Sequence, residues 1–322
     1  MPRGRFLLPL LGLLPACGGR EGDDNIYGME QGDQAEAVTL GNDELDGGSS
    51  GSSTTDAGTT ETSTSSDDAG TKLDTLPDDG VADGPDPMDC IEDVDIVFVM
   101  DVSTTMGPFF DKLESEIGVV HDALMQYDLP NPPHYGLVVF VDDFKLVDAG
   151  VPYTDINALK ADFAYWNNFT ASNQQTNGGG FNSTWTENSL DALFAAAVGF
   201  QWRPAASTLR MIVHTTDDTF WNGPINANGV DILHNYPETV DQLQAKQIRM
   251  FTFAADKNGG QCECEDVSMG FFSNFQGQPP IPMQTGGAAY LIDDVLAGIT
   301  SLSTAINGAV EDSYCEDYPP VD

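Results

Sequence analysis

Basic residues are scarce in this sequence, which has 12 lysines and arginines against 51 aspartates and glutamates and a formal charge of −39 at pH 7. A chain with such an excess of negative charge is repelled by the phosphates of nucleic acid and by anionic lipid headgroups. We therefore expect no nucleic-acid partner and no electrostatic binding to a membrane surface. The same charge attracts cations, although the ordinary role of surface acids is to keep a protein soluble.

The apolar run at the start of the chain, FLLPLLGLLPAC, is too short to cross a bilayer. Arg3 and Arg5 precede it, and a short apolar segment after a positive start is typical of a signal peptide. Its end, LLPAC, resembles a bacterial lipobox, in which cleavage leaves a lipidated cysteine, here Cys17, as the new N-terminus. We predict a lipoprotein signal peptide over residues 1–17, with an ordinary secretory signal as the alternative.

The predicted location is the cell envelope, at the outer membrane or cell surface rather than the inner membrane. Acyl chains on Cys17 would be the protein's contact with the membrane. If the lipobox is not used, the protein is secreted.

Cysteine is also rare: apart from Cys17, the chain contains Cys90, Cys262, Cys264 and Cys315. Four cysteines in an exported chain predict two disulfides. One option joins Cys90 to Cys315, because they stand near the two ends of the compact region. Cys262 and Cys264 are too close to pair comfortably, which favours a bridge from each of them, and a zinc site at this CEC sequence is a further alternative. The sequence leaves the connectivity open.

Residues 18–88 lack clustered apolar side chains and contain 18 acids against two bases. Glycine, serine, threonine and aspartate dominate this segment, which cannot bury enough apolar surface to offset the entropy of ordering. We predict an acidic, disordered linker that repels itself and acts as a stalk.

From residue 89 the composition changes, and apolar strands alternate with amphipathic helices. Strands made of continuous apolar runs, with helices between them, indicate a parallel sheet that is buried on both faces. We predict a single α/β domain over residues 89–318, with a doubly wound, mostly parallel central sheet and helices on both of its faces. The main strands are expected within 94–101, 134–143, 209–218 and 248–256, and the helices within 109–127, 155–166, 189–200 and 237–247; a short strand and a last helix are expected within 288–307.

Polar side chains follow two of these strands, in the sequences DVSTT (101–105) and TTDD (215–218). In doubly wound sheets, ligands bind at the carboxyl ends of the strands. The two clusters are therefore predicted to lie at the binding edge of the sheet.

The first cluster resembles a motif of the von Willebrand factor type A (vWA) family, the Asp-x-Ser-x-Ser loop of the metal-ion-dependent adhesion site. Asp101, Ser103 and Thr105 occupy its three ligand positions, and threonine keeps the hydroxyl oxygen of the last one. The resemblance covers roughly residues 90–310. It implies a Rossmann-like sheet and a bound divalent cation.

The family's other two ligands are a distant threonine and a distant aspartate. Thr184, after a glycine-rich loop, matches the threonine, with Ser183 and Thr186 as competing hydroxyls. Asp217 matches the aspartate. Two departures stand beside these residues, because Glu187 and Asp218 replace glycines of the family pattern.

The chemistry of this set suits Mg²⁺, with Ca²⁺ or Mn²⁺ as alternatives, because these hard cations prefer oxygen ligands. Only two carboxylates in the set leave the ion net positive, whereas four would quench its attraction for an acidic group. The resemblance implies that an acidic group of a protein or peptide ligand completes the coordination. Trp185, Phe220 and Trp221 are candidates for an apolar rim around that ligand, with partial burial against neighbouring loops as the alternative.

The function expected from the resemblance is therefore metal-dependent binding or adhesion, without catalysis. A structural or assembly protein of the envelope with a degenerate site is one alternative. A metal-assisted hydrolase, with Glu187 or Asp218 as the base, is another, although the sequence shows no Ser-His-Asp set and no HExxH motif. His214 lies in an apolar strand and is expected to be a core histidine. Loop acids at 142–144 and 262–266 are candidates for a second cation, although such acids are usually solvated.

Overall fold

The computed structural model describes residues 90–127, 129–256 and 266–320. The predicted signal peptide (1–17) with Cys17, the linker (18–88), and Cys262 and Cys264 lie outside the described residues. No helix within the described ranges combines the length and apolar character that a membrane span requires.

Two kinds of element alternate along the described chain. The strands are β1 (Asp93–Asp101), β2 (His134–Phe140), β3 (Phe144–Leu146), β4 (Thr208–Thr216), β5 (Ile225–Ala227), β6 (Val230–Ile232), β7 (Ile248–Ala254) and β8 (Ala289–Leu291). The helices are α1 (Gly107–Leu124), α2 (Ile156–Thr170), α3 (Ser189–Gly199), α4 (Tyr236–Ala245), α5 (Ile281–Gln284), α6 (Ile292–Leu296) and α7 (Leu302–Ser313).

The central sheet has the order β3-β2-β1-β4-β7-β8. Every neighbouring pair is parallel except β2–β3, which is antiparallel. The sheet, with helices packed on both faces, confirms the predicted α/β fold class. Because the chain leaves β1 for β2 on one side and reaches β4 on the other, the carboxyl ends of β1 and β4 form the switch point where ligands bind in such sheets.

The core consists of two apolar layers, one on each face of the sheet. Along β1, Ile96 and Phe98 belong to the layer that contains α1, α2 and α7, whereas Val97 and Val99 belong to the layer that contains α3 and α4. This alternation follows from the two-residue period of a strand. The predicted buried face of α1 is also confirmed, and its members are Phe110, Leu113, Ile117, Val120 and Leu124.

Local sequence signals explain where several helices begin. Asn235 and Glu238 form a reciprocal capping box at the start of α4. The side chain of Ser301 accepts a hydrogen bond from the backbone of Thr304 and starts α7. The chain turns before that cap, with Gly298 at a φ of 72°, so the single last helix that was predicted is divided into α6 and α7.

A disulfide joins Cys90 to Cys315 across a sequence separation of 225 residues. This confirms the predicted bridge between the two ends of the compact region. The alternative that pairs these two cysteines with Cys262 and Cys264 is wrong, because both sulfurs are already used.

Candidate metal centre

Asp101 is the last residue of β1, and its fully buried side chain organises the loop that follows. One carboxylate oxygen accepts a 2.7 Å hydrogen bond from the backbone N–H of Ser103, and the other accepts a 2.8 Å bond from the Thr216 hydroxyl at the end of β4. The Ser103 hydroxyl in turn lies 3.2 Å from the Thr105 hydroxyl. Asp101 therefore ties the two strand ends together and gathers hydroxyl oxygens beside its carboxylate.

Asp217 joins this group from the loop after β4. The hydroxyl of Thr105 hydrogen-bonds to its carboxylate, while the Oδ1 atom is buried and has no hydrogen-bond partner in the described chain. Burial raises the pKa of Asp217, and the Thr105 hydrogen bond opposes that rise. A buried carboxylate oxygen without a donor is costly unless a cation or a proton reaches it.

Glu187 and Asp218 complete an acidic cluster with Asp101. One carboxylate oxygen from each of these three residues lies within 4.8 Å of the others. Glu187 is 1% exposed; its Oε1 accepts a 3.0 Å hydrogen bond from Asn182, and its Oε2 is buried without a partner.

Backbone pairing holds Glu187 in this position. Its N–H donates to the carbonyl of Thr219 at 2.9 Å, and its carbonyl accepts from the N–H of Trp221 at 3.0 Å. The next residue, Asn188, donates its N–H to the Val141 carbonyl at 2.7 Å, just beyond β2. The segment before α3 therefore lies between the chain ends that follow β2 and β4, and Glu187 faces the end of β1.

The electrostatics of the cluster are those of acids without bases. Burial raises the pKa of Asp101 to about 7, and the negative charge of Asp217 adds to the effect. Burial also raises the pKa of Glu187, and the charges of Asp101 and Asp218 raise it further. The ion pairs of the described residues involve Asp93, Asp95 and Asp191 instead. Oxygen ligands, negative charge and unpartnered acceptors fit a hard divalent cation.

Thr184 contacts a further acid, Asp142. Its hydroxyl hydrogen-bonds to Asp142 and lies 2.9 Å from the Thr186 carbonyl, and the N–H of Ser183 donates to the same Asp142 carboxylate at 3.1 Å. Glu187, from the same segment, is an acid that lies beside Asp101.

The structure thus brings four of the predicted residues together through hydrogen bonds and electrostatic contact: Asp101, Ser103, Thr105 and Asp217. Their role as metal ligands stays a prediction, as does that of Thr184, which contacts Asp142. The sequence did not predict Glu187 and Asp218 as ligands; they were departures from glycine and candidate bases for a hydrolase. An acid that replaces glycine beside a predicted metal site was the signal that could have included them.

The predicted aromatic rim is only partly at the surface. Trp185 is 57% exposed, whereas Phe220 is 5% exposed and packs against Tyr236, Phe271 and Phe275. Phe220 is therefore not a rim residue, because its ring fills an aromatic cluster below the edge of the sheet. Trp221 is half-buried, and its indole Nε1 is buried without a partner in the described chain.

His214 is a core residue, as expected. It is fully buried in β4, with one ring nitrogen 2.9 Å from the Ser189 hydroxyl and the other 2.8 Å from the Thr252 hydroxyl. Burial lowers its pKa to about 3, so the ring is neutral. The Ser189–His214 pair lies inside the core with a hydroxyl in place of an orienting carboxylate, which is not the arrangement of a serine nucleophile.

No family model and no curated protein matches the chain. Among solved structures, an aerotolerance-related membrane protein from Bacteroides fragilis NCTC 9343, with multiple mutations to serines, is 14% identical at a TM-score of 0.40, and the match covers 68% of this chain and 99% of that one.

The proximal thread matrix protein 1 of the mussel byssus, in a structure with a zinc-occupied MIDAS motif, is 15% identical at a TM-score of 0.34. That match covers 52% of this chain and 37% of the mussel protein. At such scores neither likeness carries an argument about function, and the interpretation of the site depends on its own geometry.

Proposed function

We propose that this protein is a non-enzymatic, metal-dependent binding module of the cell envelope, which captures a protein or peptide ligand through a bound divalent cation. The observation that carries the proposal is the convergence of Asp101, Glu187 and Asp218 at the switch point of the sheet, with carboxylate oxygens within 4.8 Å of one another. The hydroxyls of Ser103 and Thr105 lie beside Asp101 and supply neutral oxygens.

The residues present fit a bound ion in their donor chemistry. All of these side chains offer oxygen, and the buried Oδ1 of Asp217 and Oε2 of Glu187 have no donor in the described chain. When bound, a divalent cation supplies positive charge to these oxygens and an attraction for an anionic group. Asp101 and Asp217 would hold it with the two hydroxyls, and Glu187 and Asp218 add negative charge around it.

The added carboxylates bear on the choice of partner. Two carboxylates leave a divalent ion attractive to an acidic group, whereas the carboxylates of Glu187 and Asp218 oppose that attraction. An acidic group of the partner remains the proposed ligand, and we expect its affinity to depend on how completely cations occupy the cluster. The exposed indole of Trp185 offers an apolar contact beside the metal.

Calorimetric titration of the full chain with Mg²⁺, Ca²⁺ and Mn²⁺ tests the metal. We expect saturable binding, and a variant carrying both Asp101→Ala and Asp217→Ala should lose at least one bound ion per chain. The matched control is Asp241→Ala, which removes an exposed acid of α4. Absence of binding, or binding that is unchanged in the double variant, would reject the proposal.

Capture of envelope proteins on the immobilised chain, with and without chelator, tests the partner. Proteins that the full chain retains only with metal, and that the double variant never retains, are the expected ligands. Retention that neither chelator nor the double variant affects would indicate a structural protein with a degenerate site.

Envelope attachment through Cys17 is the second part of the proposal, and the LLPAC sequence supports it. Metabolic labelling with a radioactive fatty acid tests it. We expect label on the protein and none on the Cys17→Ser variant. A labelled variant, or an unlabelled parent protein, would favour a secreted form.

A further inference from the structure

We infer that the acidic cluster takes two cations rather than one, and that the second is held by Asp142, Asn182, Thr184 and the carbonyl of Thr186, with Glu187 shared between the two ions. This inference deepens the proposed function and rests on it. The second position is a separate set of oxygens, on the β2 side of Glu187.

Asp142 is the centre of this second set. It is 2% exposed, and its carboxylate accepts hydrogen bonds from the N–H of Ser183 at 3.1 Å, from the Ser183 hydroxyl at 3.5 Å and from the hydroxyl of Thr184. The Thr184 hydroxyl has one proton but two acceptors, since the Thr186 carbonyl also lies 2.9 Å away. The hydroxyl oxygen of Thr184, a carboxylate oxygen of Asp142 and the carbonyl oxygen of Thr186 therefore share a single proton. Hydrogen-bond acceptors outnumber donors among these three groups.

Two further buried oxygens at this place have no partner in the described chain. Asn182 is 9% exposed and donates its amide N–H to Glu187 Oε1 at 3.0 Å, while its own Oδ1 is buried and unpartnered. The Oε2 atom of Glu187 is also buried and unpartnered. Buried polar atoms in folded proteins almost always have a partner, so a set of unpaired acceptors indicates a missing positive group.

Glu187 links the two sets of oxygens. It belongs to the close carboxylate group with Asp101 and Asp218, and the negative charge of Asp142 also acts on it and raises its pKa. A carboxylate has two oxygens, so one can face each ion. Two divalent ions would offset most of the charge of the surrounding acids.

The adjacent acid, Asp143, shows what a saturated carboxylate looks like in this loop. Its two oxygens accept hydrogen bonds from the backbone N–H groups of Thr176 and Asn177, and from their side chains, at 2.7 to 2.9 Å. Asp143 therefore holds the loop with four hydrogen bonds, whereas Asp142 accepts three and its charge acts on Glu187, whose Oε2 is unpartnered.

The donors of the second set indicate calcium as its ion. Carboxylates, a side-chain amide oxygen, a hydroxyl and a backbone carbonyl are the mixture that Ca²⁺ accepts in its flexible coordination shell. Mg²⁺ keeps several waters and demands a near-ideal octahedron, which suits such a set less well.

Counting bound calcium tests the inference. The full chain is dialysed to equilibrium against CaCl₂ in a salt concentration that suppresses weak binding to surface acids, and calcium per chain is then measured. We expect two tightly bound ions in the parent protein and one in Asp142→Asn, while Asp241→Asn, which removes an exposed acid of α4, keeps both.

A second variant guards against misfolding. Thr184→Val removes one neutral ligand and retains the charge, and we expect the second ion to bind about tenfold more weakly or worse. Two ions bound with parental affinity in both Asp142→Asn and Thr184→Val would overturn the inference, as would a single ion in the parent that Asp142→Asn leaves in place. That last result would leave the proposed function standing, whereas no bound ion in the parent would reject both.

Discussion

Strand β1 carries a buried carboxylate near each of its ends, and the charged neighbours of the two carboxylates have opposite signs. Asp95, near the start of the strand, and Asp101, at its end, are both fully buried. Asp95 accepts hydrogen bonds from the backbone N–H of Arg203 at 2.8 Å and from its Nε at 2.7 Å. The same guanidinium also bonds Asp93 at 2.8 Å. Asp101 accepts bonds from a backbone N–H and a hydroxyl, and has acids as its charged neighbours.

This difference teaches what an unpaired buried acid signifies in the domain. Burial raises the pKa of both carboxyls, but at Asp95 the charge and hydrogen bonds of Arg203 oppose the rise, whereas at Asp101 the charge of Asp217 adds to it. At the start of β1, which we call the arginine end, the buried acids pair with Arg203 and stabilise the fold. At the end of β1, which we call the acid end, the carboxylates need a cation or protons to offset their charge, as expected for a candidate metal site.

The largest effect should come from making the arginine end resemble the acid end. Arg203→Ala removes the guanidinium from buried Asp93 and Asp95 and leaves His134, whose Nδ1 lies 3.9 Å from Asp95, as the nearest base, so we expect a loss of about 3–5 kcal/mol in the free energy of unfolding. Urea denaturation measures it. The control is Lys160→Ala on α2, for which we expect a change within about 0.5 kcal/mol. Equal changes in the free energy of unfolding for the two substitutions would show that the ion pairs of Arg203 do not stabilise the fold.

The next largest change in the free energy of unfolding should come from binding of calcium at the acid end. Calcium at about 100 times its dissociation constant should add about 2.7 kcal/mol to the free energy of unfolding for each ion that binds. The increment should be larger at about pH 8 than at about pH 5, because cations bind ionised carboxylates.

The metal-free protein should show the opposite pH dependence in the contribution of Asp101. A carboxyl whose pKa is higher in the folded than in the unfolded state stabilises the fold in its protonated form. That contribution is present below about pH 4, the usual unfolded pKa, and is lost as the pH rises through the folded value of about 7. Thermal unfolding at several pH values, with calcium and with chelator, measures both trends. A calcium increment that falls as the pH rises would contradict the assignment.

A matched pair of substitutions on β1 should give effects of opposite sign. Without metal, at about pH 8, Asp101→Asn removes one of several repelling charges and should raise the free energy of unfolding by about 1 kcal/mol. Asp95→Asn removes the partner of a half-buried Arg203 and should lower it by about 1–3 kcal/mol. Urea denaturation in chelator measures both. Destabilisation of similar size by both variants would contradict the claim that Asp95 stabilises the fold while ionised, metal-free Asp101 destabilises it.

The smallest effect on stability is expected at the exposed rim of the acid end. Trp185→Ala should change the free energy of unfolding by less than about 0.5 kcal/mol and leave calcium affinity unchanged. It should nevertheless reduce metal-dependent retention of envelope proteins. Tyr165→Ala is the control, since this ring is 59% exposed on α2. Equal loss of retention in both variants would argue against a specific role for Trp185.

The α/β architecture could be predicted because it depends on patterns that are local in the sequence. Continuous apolar runs in β1, β2, β4 and β7 and the buried face of α1 show directly in the residue types. The three-residue strands β3, β5 and β6 were not predicted, because so short a segment has no measurable period and forms only against its neighbour.

The candidate site was predictable in part, for a related reason. Asp101, Ser103, Thr105 and Asp217 follow two strands whose ends meet in any sheet of this type, so their proximity follows from the topology. The segment around Thr184 lies in a loop, and its register against Asp101 depends on backbone hydrogen bonds to Thr219 and Val141. Hence Glu187 was not foreseen as the residue that lies beside Asp101.

The sequence by itself determined the charge of this protein, its order of strands and helices, and the presence of acids and hydroxyls at the ends of β1 and β4, because these properties belong to residue types and their spacing. Tertiary structure alone decided which acids stand unpaired: Arg203 reaches Asp95, and no base in the described ion pairs reaches Asp101 or Glu187. The physical reason is that the pairing of buried charge depends on distances between segments far apart in the chain, which only packing fixes.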